Sequence, residues 1–296
     1  MTIATVVQTF RPPFLVLTPI CVFLGVSTAS ASGATLNTLQ VALILLGCLC
    51  AHMSVNALNE YHDFKSGLDL QTQRTPFSGG SGALPSNPEA ASIVLASGVA
   101  CLAITLVIGV YFALTAAMQT LAVTAVAAVL VLTYTTILNR LPWFCLVAPG
   151  LGFGVLMVVG THWVLAGEAN ALVWWLSLIP VLLLNNLLLI NQYPDITADR
   201  ASGRATFPIR YGVEVSNRVF AIFSLSAASL VVALVSLQLI PPLAVISLVP
   251  IGLTLITYRG VLKLGAEIDS QPQLMAANVI AANVTPLCLA VSIAWG

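Results

Sequence analysis

Charge is what this chain lacks. Of its 296 residues, 7% are Asp, Glu, Lys or Arg, while 59% are hydrophobic. Ordinary soluble domains carry about 25% charged and about 45–50% apolar residues. So little charge excludes a soluble fold with a solvated surface, and no polar stretch is long enough to make a separate soluble domain. The six cysteines, Cys21, Cys48, Cys50, Cys101, Cys145 and Cys288, show no C-x-x-C spacing, which argues against a zinc or redox centre. They read as buried thiols acting as small apolar side chains. Short alternating segments of about ten residues are also missing, so a membrane β-barrel is excluded.

What is present is a series of apolar runs near 20 residues long, each enough to cross a hydrocarbon core of about 30 Å as a helix. They predict an all-α, polytopic membrane protein of one domain over residues 1–296. Nine transmembrane helices are expected, at about 12–31, 38–58, 91–111, 116–138, 142–166, 171–190, 217–238, 241–258 and 273–295. Arg11 ahead of an apolar run that ends in Ala29-Ser30-Ala31 has the layout of a cleavable signal peptide, but the run is long for a signal core and is read as the first span. Numbering the loops alternately puts every Lys and Arg on one side and leaves Glu168 on the other. The positive-inside rule then places the N-terminus and both long loops, about 59–90 and 191–216, in the cytoplasm. The expected location is a cell inner (plasma) membrane, crossed many times.

Those two loops hold the rare acids. The chain has five Asp, and Asp63 and Asp69 lie in the first loop, Asp195 and Asp199 in the second. Each loop opens on the same N-x-Y-x-D pattern, NEYHD from Asn59 and NQYPD from Asn191. If the sixth span continues as helix, Asn191, Asp195 and Asp199 stack on one face, as do Asn59 and Asp63 in the second. Gly67 is expected to break that helix and turn Asp69 back. A lone loop acid is usually a solvated charge paired locally, as Asp199 with Arg200 or Arg204; repetition, with a second Asp after each copy, argues for a function.

Clustered carboxylates repel and need a cation. Mg²⁺ takes one or two carboxylates, several waters and the oxygens of a bound phosphate, so two such clusters facing a cavity can hold metals on either side of one diphosphate. Lys65, Arg74, Arg200 and Arg204 supply basic groups suited to phosphate oxygens. The Gly- and Ser-rich run RTPFSGGSG, from Arg74 to Gly82, offers backbone N–H groups to an anion.

On these residues the chain resembles the UbiA superfamily of intramembrane prenyltransferases, over essentially its whole length. NEYHDFKSGLD (Asn59 to Asp69) is similar to the family's first aspartate-rich motif and DITADRASGRAT (Asp195 to Thr206) to its second. The spacing of Asp63 to Asp69 and the following GGSGALP resemble the branch that prenylates 1,4-dihydroxy-2-naphthoate in menaquinone synthesis. The resemblance implies helices around a central cavity capped by the two loops, and Mg²⁺ as cofactor. It implies that Asn59, Asp63, Asp69, Asp195 and Asp199 hold metal and diphosphate, the four Asp being catalytic. Asn191, Lys65, Arg74, Arg200 and Arg204 are expected on the diphosphate. Many members have a Tyr-x-x-x-Lys element after the fourth span. Here YTTILNR keeps Tyr134, puts Leu138 at the Lys position and carries Arg140 two residues on, so Tyr134 and Arg140 join the candidate diphosphate ligands.

The expected reaction transfers an isoprenyl chain from an allylic diphosphate to an aromatic acceptor, releasing diphosphate. Partners are these two substrates and the lipid bilayer, with no nucleic acid and no protein partner. Alternatives are prenylation of 4-hydroxybenzoate or another phenol, or a transporter with an acidic cytoplasmic site. His62 is the nearest candidate proton acceptor by sequence; His52 and His162 lie in spans, where a structural hydrogen bond is the expectation.

Overall fold

Pro12, Pro88, Pro142, Pro242 and Pro272 each open a helical segment, the position where a missing N–H costs least and the fixed φ already suits a helix. Asparagine opens two others. The Asn37 side chain accepts hydrogen bonds from the N–H groups of Leu39 and Gln40, at 2.9 and 3.3 Å, and Asn170 accepts from Val173 at 3.0 Å. The computed structural model describes residues 2–296, and among them every regular element is a helix.

Among the described residues, eight helical segments are long and apolar enough to cross a membrane: α1 (Pro12–Ala31), α2 (Thr38–Ser66), α3 (Pro88–Thr115), α5 (Pro142–Ala166), α6 (Ala171–Asn191), α7 (Phe207–Ser236), α8 (Pro242–Ser270) and α9 (Pro272–Trp295). The expected fourth span, α4, is helical only over Thr120–Thr133, roughly 21 Å at 1.5 Å per residue. It is therefore shorter than the hydrocarbon core. Leu106, Val107, Leu225 and Val249 are among many large apolar side chains on the outside, where only lipid favours them. The chain is an integral membrane protein.

Between the helices, one apolar core joins α1, α5, α6, α7 and α9 through Leu24, Val158, Leu183, Val231 and Leu289, all essentially buried. Side-chain amides tie the same region together. Asn186 donates to the Phe220 carbonyl and to Ser224 Oγ, both at 2.9 Å, and Asn278 donates to the Asn186 carbonyl at 3.1 Å. In hydrocarbon such bonds hold helices to one another, because no water competes for them. The hydroxyls of α4 instead turn back on their own backbone, Thr124 to the Thr120 carbonyl and Thr133 to that of Val129.

Two local features depart from the expected pattern. Within α5 the stretch Gly150–Val159 is π-helical, beginning directly after Pro149, whose nitrogen has no proton to donate. Gly150 is needed there: a Cβ would come within 2.4 Å of Asn185 Oδ1, and its N–H donates to that oxygen at 2.8 Å. The sixth span also stops early. α6 ends at Asn191, a turn covers Gln192–Asp195, and a short helix, Ile196–Ala201, follows. Pro194 disfavours helical backbone at Tyr193, so Asn191, Asp195 and Asp199 do not share one continuous helix face as expected.

Candidate functional site: a charged mouth on an apolar cavity

Both motif segments line one cavity of about 410 Å³. Its mouth carries Arg11, Asn59, Asp63, Asp69, Asn191, Asp195, Asp199 and Arg204. Its depth is apolar, with α2 lining it from Asp63 down to Ile44, a stretch of roughly 28 Å along the axis. α3, α4 and α5 line the deep end through Phe112, Val123 and Val164, whereas α6 contributes only its near half, from Leu184 to Asn191.

The acids reach the mouth by different routes. Asp63 stands on the last turns of α2, which Gly67 closes at φ 79°. That left-handed conformation suits glycine, and it turns Asp69 back as the spacing anticipated. Asp195 caps the short helix Ile196–Ala201, and Asp199 sits within it.

One side chain joins the two motifs. Arg204 bonds Asp199 Oδ1 at 3.0 Å and also pairs with Asp63. Burial works against its charge, but Asp63 and Asp199 outweigh burial and raise its pKa. Burial raises the pKa of the Asp199 carboxyl, with Arg204 opposing. Asp69 is pushed up to about 7, by burial first and then by the charges of Glu60 and Asp63. Asp195 is likewise pushed up to about 7, by burial and then by Asp199, against the N–H of Gly79 and the charge of Arg204.

The Gly-rich run clips the motifs together, not a free anion as expected from its composition. The N–H of Gly79 donates to Asp195 Oδ2 at 3.2 Å. Ser81 donates to Glu60 from its N–H at 2.8 Å and from its hydroxyl at 2.7 Å. Glu60 is fully buried and also receives Arg11, with Nη2 at 2.6 Å and Nε at 2.8 Å. Arg11 holds a left-handed backbone, φ 54°, and its Nη2 donates to Asn59 Oδ1 at 3.3 Å. It is raised in pKa because Glu60, Asp63 and Asp69 together overcome the effect of burial.

Sequence reading missed Arg11 and Glu60 as parts of this site. Arg11 counted only as a marker of topology, and Glu60 lay inside the repeated pattern as an unassigned position. The expected basic ligands fare differently. Arg204 lines the cavity; Lys65, Arg140 and Arg200 are exposed and lie outside its wall. Arg140 is the last residue of a short 3₁₀ helix, Leu138–Arg140, and Lys65 lies over the Tyr61 ring at 5.8 Å. Arg74, also exposed, donates to the Asp69 carbonyl at 3.3 Å from outside the cavity.

Tyr134 is in the wall. His62 is not, and its ring packs on Tyr61 with centroids 5.5 Å apart. His52 lines the cavity and shares a hydrogen bond of 2.9 Å with Thr18, and His162 a similar one with Thr28.

Among the described residues, no three His, Cys, Asp or Glu side chains form a ready-made metal cage. What the mouth offers instead are buried oxygens without partners: Asp69 Oδ2, Asp195 Oδ1 and Asn191 Oδ1. An all-oxygen donor set of this kind fits a hard divalent ion that keeps waters and phosphate oxygens as its other ligands.

The sequence model described as the UbiA prenyltransferase family matches residues 17–292. No curated protein gives a significant match to the sequence. Among solved structures, a digeranylgeranylglyceryl phosphate synthase is similar at a TM-score of 0.70 and 17% identity, covering 99% of each chain. A UbiA homologue from Archaeoglobus fulgidus bound to DMAPP and Mg²⁺ aligns at 0.69 and 15% identity, over 98% of this chain and 99% of the other. One from Aeropyrum pernix K1 aligns at 0.69 and 18%, over 91% and 95%.

Proposed function

Because the chain belongs to the UbiA prenyltransferase family and is a prenyltransferase, we propose that it moves an isoprenyl chain from an allylic diphosphate to an aromatic ring, releasing diphosphate. The observation that carries this reading is a single cavity whose mouth is ionic and whose depth is apolar. A substrate with a polyanionic head and a hydrocarbon tail matches both ends. Water is excluded along the tail, which protects a carbocation-like prenyl group until the acceptor carbon reaches it.

In this reading Asp63, Asp69, Asp195 and Asp199, with Asn59 and Asn191, would hold Mg²⁺ and the diphosphate; the unpaired oxygens of Asp69, Asp195 and Asn191 support the assignment. The bound ion supplies Lewis-acid stabilisation of charge on the leaving diphosphate. Arg204 and Arg11 add fixed positive charge at the same place. Arg204 has a second task, because it already neutralises Asp63 and Asp199. It keeps the two motifs adjacent at the mouth where a diphosphate would bind. Glu60 holds Arg11 and the loop at Ser81 in place. One membrane domain carries the whole reaction, with both motif segments on the cytoplasmic face of the cell membrane, the side on which all the basic loop residues fall.

The acceptor we favour is 1,4-dihydroxy-2-naphthoate, in menaquinone or related quinone synthesis. This rests on the spacing of Asp63 to Asp69 and on GGSGALP. The test is to incubate purified protein and Mg²⁺ with labelled prenyl diphosphates and a panel of aromatic acceptors, then identify products by mass. A single favoured pair is the expected result. Diphosphate release without a prenylated ring under any pairing would sink the aromatic assignment.

A further inference from the structure

Beside the charged mouth lies a second polar cluster that carries no charge. Asn139 Oδ1, Gln192 Oε1 and Thr206 Oγ1 have no hydrogen-bond partner, and all three residues are more than nine-tenths buried in the cavity wall. They come from three separate segments brought together by backbone and side-chain contacts. The N–H of Ala205 donates to the Asn139 carbonyl at 2.9 Å, and the N–H of Asn139 to the Tyr134 carbonyl at 3.1 Å. Gln192 Nε2 contacts Cys145 Sγ at 3.4 Å, and Cys145 in turn adjoins Tyr134.

Buried polar atoms are almost always paired, so three orphans around one space ask for a ligand. Their chemistry narrows it. Two are amide carbonyl oxygens, which repel a polyanion and hold no hard cation tightly in competition with the nearby carboxylates. They accept hydrogen bonds, and Thr206 both accepts and donates.

We propose that Asn139, Gln192 and Thr206 form the pocket for the acceptor, binding it through hydroxyl groups on its ring. This deepens the prenyltransferase reading and rests on it. The ring hydroxyls donate to the two carbonyls, and the pocket shares its wall with Tyr134 and with Arg204 at the diphosphate end, so the ring lies next to the breaking C–O bond. An acceptor without a free O–H leaves these oxygens as unpaired as they are without it, which is the basis for discrimination.

Binding of 1,4-dihydroxy-2-naphthoate and 4-hydroxybenzoate, and of the O-methyl ether of each, is to be measured by calorimetry on the wild-type protein and on Thr206→Val, Gln192→Leu and Thr206→Ser. For the phenol that binds, Thr206→Val and Gln192→Leu each weaken affinity roughly tenfold, and Thr206→Ser stays near wild type. The ether binds no better to the wild type than to the variants, and geranyl diphosphate with Mg²⁺ binds all four proteins alike. Equal phenol affinity across the proteins, an ether that binds as well as its phenol, or a matching loss for geranyl diphosphate overturns the proposal. If the wild type prenylates a phenol that the variants bind normally, the pocket falls and the reaction stands. Wild-type protein that neither binds nor prenylates either phenol removes both.

Discussion

α2 and α6 each start from an asparagine that caps the first turn, and each reaches the cavity mouth with the same five-residue pattern, yet the two patterns sit on different backbones. In α2 the helix runs on through Asp63 to Ser66. In α6 it stops at Asn191, and Asp195 stands in a turn. The fourth residue decides this, His62 in one copy and Pro194 in the other. The side chains diverge accordingly. Asn59 donates to Asp63 at 2.9 Å and to Thr135 at 3.1 Å, whereas Asn191 Oδ1 is unpaired. Glu60 anchors Arg11 and Ser81, while Gln192 faces the cavity. Tyr61 is partly exposed; Tyr193 is buried, its hydroxyl donating to Asn217 Oδ1 at 2.8 Å. A matching pattern therefore brings both of its Asp to one cavity mouth, and gives different contacts to the positions between.

The sharpest way to break the comparison is to ask whether both halves are needed. Asp63→Asn, Asp195→Asn and Asp199→Asn should each cost roughly 10²–10³ in kcat, the scale of losing one group that stabilises developing charge, with the protein still folded by circular dichroism in detergent. Near-normal turnover from either motif's mutants would mean that one half suffices. Arg204→Ala cuts the only side chain that pairs with both motifs among the ion pairs of the described residues. It should weaken prenyl diphosphate binding by about 10–100-fold, and Arg204→Lys should restore it only in part, because a point charge cannot span two carboxylates as a guanidinium does.

Pro194→Ala removes the difference itself. With helical backbone now allowed at Tyr193, α6 should lengthen toward Asp195, and KM for prenyl diphosphate should rise a few-fold with little change in thermal midpoint. An unchanged KM would show that the turn is set by the contacts of Tyr193 and not by the proline.

Proton linkage compares Asp69 of the first motif with Asp195 of the second, both pushed up to about 7. Between the ordinary carboxylate range near 4 and about 7, the folded state holds more protons than the unfolded one. Stability that is fully present at low pH is then lost as pH rises. Without metal, the thermal midpoint should fall from about pH 5 to about pH 8, and Mg²⁺ should raise it more at the upper end, where the carboxylates are free to bind it. A wild-type midpoint that falls no further over this window than those of Asp69→Asn and Asp195→Asn contradicts the burial of these groups. The smallest effect tests the shared feature: Asn37→Ala and Asn170→Ala should each cost about 1 kcal/mol, equally and without moving KM.

Much of this is legible in the sequence. Long apolar runs locate the helices because crossing a bilayer leaves few other ways to satisfy the backbone. Gly67 announces the end of α2, and the paired Asp announce the cavity mouth that they line. What was hidden depended on distance in sequence. Arg11 meets Glu60 across 49 positions, and nothing local distinguishes it from a topological marker. Lys65, Arg140 and Arg200 look equivalent to Arg204 in composition, and only the folded chain separates them, with Arg204 in the cavity wall and the other three exposed outside it. Asn139, Gln192 and Thr206 carry no charge and no pattern. The π-helical stretch and the short α4 were invisible because hydropathy reports length of apolar sequence and not hydrogen-bond register.

That short helix bears on the surrounding lipid. α4 presents Val123, Ala127 and Leu130 to the cavity, and Val129 and Leu132 to the outside, so the partition between cavity and bilayer is there one helix thick. Where it is shorter than the hydrocarbon it borders, the bilayer thins or takes in the flanking turns, at fractions of a kcal/mol per Å of mismatch.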